Sequence, residues 1–380
     1  LLSTRQGPVV LDIPPASEQT AIFGSATDVW QVPVTDIGPA GQDKGKGGKY
    51  LFLPPGYKGE VPEGYLSVQL ELYDVFVALR LIPLGDTSFS EAGEYAKKIS
   101  AYPLNQADDP PAGTYIDISG KHLPTLPTYD IDFFMKIDQL IQNEPLLERD
   151  KVMGGMLSSL GIEKGATFKP NPALKDALDE AAKDGYAYLE HMFETPGYST
   201  EVYWPGAQWL AIRRPSEDGF VYDEGDTLLL DERGSLFHWA TFVPRQLGKA
   251  TAYVMATRDG DGDLLSGKGV YKLRVPAKVP ASDFWSVIAY SKKTKAFIYN
   301  DIDRVGLSSY DKEALKMNDD GSVDIYFGET APKGFESNWI PTAGEDFFLL
   351  FRLYGPEEPF FDKSFKLPDV ERVSLSLIHI

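Results

Sequence analysis

Three carboxylates alternate along Asp259-Gly260-Asp261-Gly262-Asp263, which is how a calcium-binding loop begins. An EF-hand completes its oxygen cage with Gly at the sixth position and Glu at the twelfth. Here those positions hold Leu264 and Val270. Calcium at Asp259, Asp261 and Asp263 is therefore the alternative to a plain hairpin turn, which the strand-like flanks favour. A second candidate is His238, in Ser235-Leu236-Phe237-His238-Trp239-Ala240, with Asp231 a few residues upstream. An imidazole there could act as a general base for hydrolysis. A serine triad, however, needs a geometry that sequence neighbours rarely provide, and no Gly-x-Ser-x-Gly elbow occurs. A packed histidine is the plainer reading. Arg213, Arg214 and Trp239 are candidate ligand contacts, two guanidinium forks and a ring near His238. No histidine pair has the spacing of a helical zinc site, and no redox-cofactor motif is present.

Asp43 to Tyr50 is rich in Gly and Lys and could cradle a phosphate through backbone N–H groups. Gly48-Lys49 is followed by Tyr50 and leads into a strand, so the loop lacks the spacing and the helix start of a P-loop. Lys44, Lys46, Lys49 and Lys58 remain a local patch of cations; a folded connection is the alternative. Aromatic residues are plentiful, with 20 Tyr, 21 Phe and 6 Trp. Tyr203-Trp204, Trp209, Phe237, Trp239, Phe284-Trp285 and Trp339 concentrate in the C-terminal half. Exposed rings would stack on sugars, with Arg213, Arg214, Asn300, Asn338 and Arg352 as polar company. Alternation along a strand sends only one face outward, so most of these rings are expected in the core.

Residues 1–127 alternate short β-type runs with Gly/Pro turns, as at Pro8–Ile13, Gly48–Leu53 and Tyr65–Leu70. One helix is expected near Ser90–Ser100, with Ser90 as its cap. From Thr128 the period lengthens: Ile131, Phe134, Ile137, Leu140 and Ile141 make an apolar stripe. Pro145 is placed to start a second helix carrying Leu146, Met153, Met156, Leu157 and Leu160. Asn171-Pro172 starts a third, ending at Pro196-Gly197. Residues 128–198 thus read as a small helical domain, and 199–373 as strands again. Among these are Ala252–Ala256, Tyr271–Val275, Phe284–Tyr290, Val323–Phe327, Phe347–Tyr354 and the pair Phe360-Phe361. Turn signals at Asp259–Gly262 and Asn318–Gly321 mark hairpins. Residues 374–380 read as an added tail.

The chain has 380 residues with 37 basic and 56 acidic side chains, a net charge of −19. That excess repels polyanions, which speaks against nucleic acid and anionic membrane surfaces. No apolar run approaches the roughly 20 residues that span a bilayer. Zero cysteines exclude disulfides, thiolate metal sites and cysteine nucleophiles.

Several phrases resemble a bacterial family built from two domains of unknown function, numbered 1254 and 1214. The N-terminal part carries Phe23-Gly24-Ser25, Trp30-Gln31-Val32-Pro33, Asp43 to Tyr50, Leu53-Pro54-Pro55-Gly56-Tyr57 and Tyr102-Pro103-Leu104. Glu148-Arg149-Asp150-Lys151 continues it. The C-terminal part carries Val275-Pro276, Phe284-Trp285-Ser286-Val287, Asp320-Gly321-Ser322-Val323, Asn338-Trp339-Ile340 and Arg352-Leu353-Tyr354-Gly355-Pro356. The resemblance spans about 3–373. It implies a mainly β fold: an N-terminal immunoglobulin-like sandwich, a helical insert and a C-terminal jelly roll. Such proteins carry an export signal and a further N-terminal segment. The resemblance therefore implies a periplasmic or extracellular location and a chain that begins inside the family's length. It supplies no catalytic residues.

The resulting expectation is an exported soluble protein that binds or hydrolyses a small polar or carbohydrate-like ligand in a cleft between domains. No cofactor is expected beyond the calcium alternative, and neither nucleic acid nor membrane insertion. The other reading is a non-catalytic structural or assembly protein that self-associates through its jelly roll.

Overall fold

The computed structural model describes residues 1–121, 126–213, 222–240, 251–311 and 313–373. Arg214, His122 and the tail 374–380 lie outside them. The fold is mainly β with a helical insert, as expected. The N-terminal part packs two four-stranded sheets. One runs in the order Leu2–Ser3, Asp74–Pro83, Thr20–Asp28, Pro33–Ile37; the other Tyr65–Gln69, Gly48–Leu53, Val9–Ile13, Ser100–Pro103. Pairing is antiparallel except between Gly48–Leu53 and Tyr65–Gln69. Leu11, Ile13, Ile22, Ile37, Tyr50, Phe52, Val68 and Val75 alternate inward to fill the space between the sheets.

The expected helix here runs Phe89–Ala96, capped by Ser88, not Ser90. Ser88 accepts from the Glu91 amide while the Glu91 carboxylate accepts from the Ser88 amide, a reciprocal capping box. Ser90 lies inside the first turn, and Ser100 already belongs to a strand.

Three helices follow: Ile131–Asn143, Lys151–Ser159 and the long helix Pro172–Glu194. Asn171 caps the last by accepting from the Leu174 amide, with Pro172 in the first turn. Ile131, Phe134, Ile137 and Ile141 meet Leu157, Leu160 and Leu178. Trp30 of the sandwich inserts into the same cluster. Pro145 does not start a helix: residues 144–147 are extended, and the next helix begins with a 3-10 turn at Glu148. Leu146, Met153 and Met156 are consequently exposed.

The C-terminal part is a second sandwich. Its larger sheet has six strands, in the order Gly306–Ser308, Ala281–Ser291, Phe347–Pro356, Thr251–Ala256, Leu210–Ile212, Thr200–Val202. The smaller has four: Trp339–Pro341, Val323–Gly328, Val270–Val275, Glu371–Val373. Trp204, Trp209, Trp285, Phe327 and Phe351 lie in the core between them. Two elements differ from expectation. Leu230–Trp239 is a helix, unannounced because its apolar residues follow no single face. Phe360-Phe361 form a helical turn, not a strand, and Phe360 plugs the core.

Candidate functional site

The Asp259–Asp263 segment is a hairpin turn that ties down one oxygen of its first carboxylate, leaving Asp259 Oδ2 buried without a hydrogen-bond partner among the described residues. Asp259 Oδ1 accepts from the amides of Asp261 (3.1 Å) and Asp263 (3.0 Å), and Arg258 pairs with Leu264 across the turn. Among the described residues, no three acidic or histidine side chains converge as metal ligands would. The Gly/Lys loop is likewise a folded connection. Buried Asp43 takes the amides of Gly38 (2.7 Å) and Gly47 (3.2 Å) and the Tyr50 hydroxyl (2.7 Å). The loop amides that could have cradled a phosphate are thus partly spent on this aspartate.

His238 is fully enclosed, its side chain 0% exposed. Its Nε2 meets Glu190 Oε1 at 2.6 Å and its Nδ1 meets the Tyr129 hydroxyl at 3.2 Å. Glu190 Oε1 also accepts from Lys295 Nζ at 2.6 Å, and that ammonium lies 4.1 Å above the Phe193 ring. Burial opposes ionisation of Glu190, but the hydrogen bonds from His238 and Lys295 outweigh it and hold the carboxyl below its ordinary range. Burial also lowers the Lys295 ammonium, against the pull of Glu190. Burial, and next the Glu190 charge, push the Tyr129 and Tyr186 phenols up to about 12. Four elements meet in this knot: the segment before the first helix of the insert, the long helix, the Leu230–Trp239 helix and the hairpin after Ala281–Ser291.

The other sequence candidates do not join His238. Ser235 Oγ lies 2.8 Å from Ser199 Oγ, and Asp231 accepts from the Tyr188 hydroxyl. Trp239 donates to Ser199 Oγ (3.2 Å) and packs on Phe193. Arg213 donates to the Gly197 carbonyl and sits 3.5 Å from Glu232. Asn338 is a core tie that donates to the carbonyls of Lys316 and Asp324, and Asn300 holds its own turn through Arg304.

Arg352 is different. It lies on the outer face of the six-stranded sheet, where the register sets it between Tyr253 on one neighbouring strand and Ser286 on the other. Its guanidinium stands 5.2 Å from the centroids of both Tyr253 and Tyr354 and bonds to the Tyr354 hydroxyl. Phe284 stacks on Tyr354 at 4.1 Å and meets Tyr310 at 4.7 Å; Tyr310 is 73% exposed. Arg80, from the N-terminal sandwich strand Asp74–Pro83, is close enough for its charge to act on Tyr253, Tyr290 and Tyr354. Burial would raise the Tyr253 phenol, but the charge of Arg352, hydrogen bonds from Tyr354 and Arg352, and the charge of Arg80 lower it. Arg352 and Phe284 were visible in the sequence as polar and aromatic candidates. Tyr253 and Ser286 were not, because only strand register brings them beside Arg352.

Residues 250–358 match the family described as protein of unknown function DUF1214, and residues 1–103 match protein of unknown function DUF1254. No curated protein matches the chain. Among solved structures, the VPA0106 protein from Vibrio parahaemolyticus is similar at 18% identity and a TM-score of 0.55. The match covers 97% of this chain and 86% of that one. An uncharacterised protein from Burkholderia cenocepacia aligns at 12% identity and a TM-score of 0.36, over 98% of this chain and 74% of that one. The first likeness concerns the fold alone. With both domains matched in this order, the chain belongs to the family that pairs DUF1254 with DUF1214.

Proposed function

We propose that the protein binds a small polar, carbohydrate-like ligand where the N-terminal sandwich meets the outer face of the C-terminal sheet. The observation that carries this reading is the Phe284–Tyr354–Tyr310 ring platform beside Arg352 on that outer face. Flat rings edged by hydrogen-bonding groups suit a sugar face, and domain junctions are where small-ligand sites preferentially form. Binding is favoured over hydrolysis because His238, the candidate base, is enclosed and already bonded at both nitrogens. Export, and a periplasmic or extracellular place of action, is the location this reading takes from the family resemblance.

Thermal unfolding against a panel of neutral sugars, acidic sugars and small organic acids tests it. A saturable rise in Tm for at least one ligand class, lost in Phe284→Ala, is expected. No shift with any member of the panel overturns the reading.

A further inference from the structure

The Arg352 guanidinium borders this platform, the charge of Arg80 acts on the same phenols, and among the described residues neither has an acid to neutralise it. Among the described residues no carboxylate lies within ion-pair distance of Arg352 or Arg80; the partners of Arg352 are phenols. That is unusual company in a chain with 56 acidic side chains. The other half-buried arginines are handled differently: Arg213 sits beside Glu232, while Arg258 and Arg304 donate to backbone carbonyls. A partly buried cation without a counter-ion costs free energy unless something negative completes it.

The floor of the face holds a second unfinished group. Ser286 is 7% exposed, lies directly across the strand pair from Arg352, and its Oγ has no hydrogen-bond partner. A buried unpaired hydroxyl is itself unfavourable. The same pairing places Tyr253 on the far side of Arg352. Ser286, Arg352 and Tyr253 therefore form one row across three strands.

We propose that this face takes a ring-shaped organic anion of the uronate class, a sugar bearing a carboxylate. The carboxylate lies between Arg352 and Arg80, and the sugar ring lies on Phe284, Tyr354 and Tyr310. The guanidinium fork of Arg352 matches a carboxylate in two parallel hydrogen bonds. This assignment rests on the binding reading above and narrows it to anionic ligands. The negative field of the whole chain works against such a ligand at long range, so recognition has to come from the local pair of arginines.

Calorimetric titration of the full chain with galacturonate, and separately with galactose, tests the assignment. Saturable galacturonate binding is expected, with galactose at least about tenfold weaker, the range of a charge-assisted hydrogen bond. Arg352→Gln should weaken galacturonate by about tenfold or more, and by at least about threefold more than it weakens galactose. Should Arg352→Gln not fold, Arg80→Gln decides alone: Arg80 is exposed, and its loss should weaken galacturonate about threefold, the range of an exposed charge pair, at unchanged Tm. Equal binding of galactose and galacturonate overturns the anionic assignment and leaves the binding reading standing. No binding of galacturonate overturns the assignment, and the panel above then decides the binding reading separately. Wild-type galacturonate affinity in Arg80→Gln also overturns the carboxylate placement.

Discussion

At the scale of single residues, the Glu190 carboxylate is the most consequential group in the His238 knot. It is one acceptor for two buried donors, so Glu190→Gln leaves Lys295 enclosed without its counter-charge. A loss of about 3 kcal/mol in unfolding free energy is expected from urea titration. Its pH dependence follows from the direction of its shift. The folded carboxyl lies below the ordinary glutamate value of about 4.3, so the unfolded chain takes the proton first as pH falls. The stabilisation is complete above that value and is lost as pH drops through the lower folded one. Glu190→Gln should flatten the acid limb of a stability-against-pH curve. Ser286 gives the opposite sign: removing its unpaired hydroxyl by Ser286→Ala should raise the urea midpoint, by about 1 kcal/mol in stability. A lower midpoint would mean that the hydroxyl has a partner in solution.

At the scale of elements, the same short signals that mark turns and caps also do the structural work. Asp259 ties two amides of its hairpin, so Asp259→Ala should cost about 1–2 kcal/mol, equally in calcium and in chelator, by thermal unfolding. A cost that appears only with calcium would revive the metal reading of Asp259, Asp261 and Asp263. Elements announced by caps and periodicity match closely: Asn171-Pro172 starts the long helix, and Phe284–Tyr290 and Val323–Phe327 are strands. The failures have local causes. Pro145 suits a first helical turn, but Glu144 is held extended, where its carboxylate accepts the Tyr73 amide at 2.6 Å. A tertiary contact outweighs the preference of one proline. The Leu230–Trp239 helix carries Gly234 and Ser235 at its centre. It is held by Leu236 packing on Tyr222 and by the His238 knot, not by intrinsic propensity.

At the scale of the whole molecule, the helical insert joins the two sandwiches. Arg5 of the N-terminal sandwich bonds Glu144 at 2.8 Å and Asp74 at 2.9 Å, and Arg149 bonds Glu71 on the sandwich side. The Glu190–His238–Lys295 knot fastens the other end. Glu144 is 2% exposed, so Arg5→Ala strands a buried carboxylate. It should cost about 3 kcal/mol and speed proteolysis between the sandwich and the helices. Resistance equal to the wild type would show that Trp30 and Arg149 hold that junction without Arg5. No helix among the described residues is long and apolar enough to cross a membrane.

The division between what was legible and what was not follows the range of the interactions. Fold class, the helical insert, most strands and the hairpins at Asp259 and Asn318 are written in local spacing, because alternation, caps and turn residues act within a few positions. So is the core position of Trp285, which its strand turns inward; Trp204 and Trp209 reach the same core from the loop between Thr200–Val202 and Leu210–Ile212. Side-chain partnership is not local. His238 and Lys295 are far apart in sequence yet share one oxygen of Glu190, while Ser235, a near neighbour, turns away to Ser199. Arg352 could be picked out as a polar residue on a strand, but that no carboxylate among the described residues pairs with it could not. Which acids reach a guanidinium depends on strand register and on how one sheet docks against another, and those distances exist only after the chain has folded.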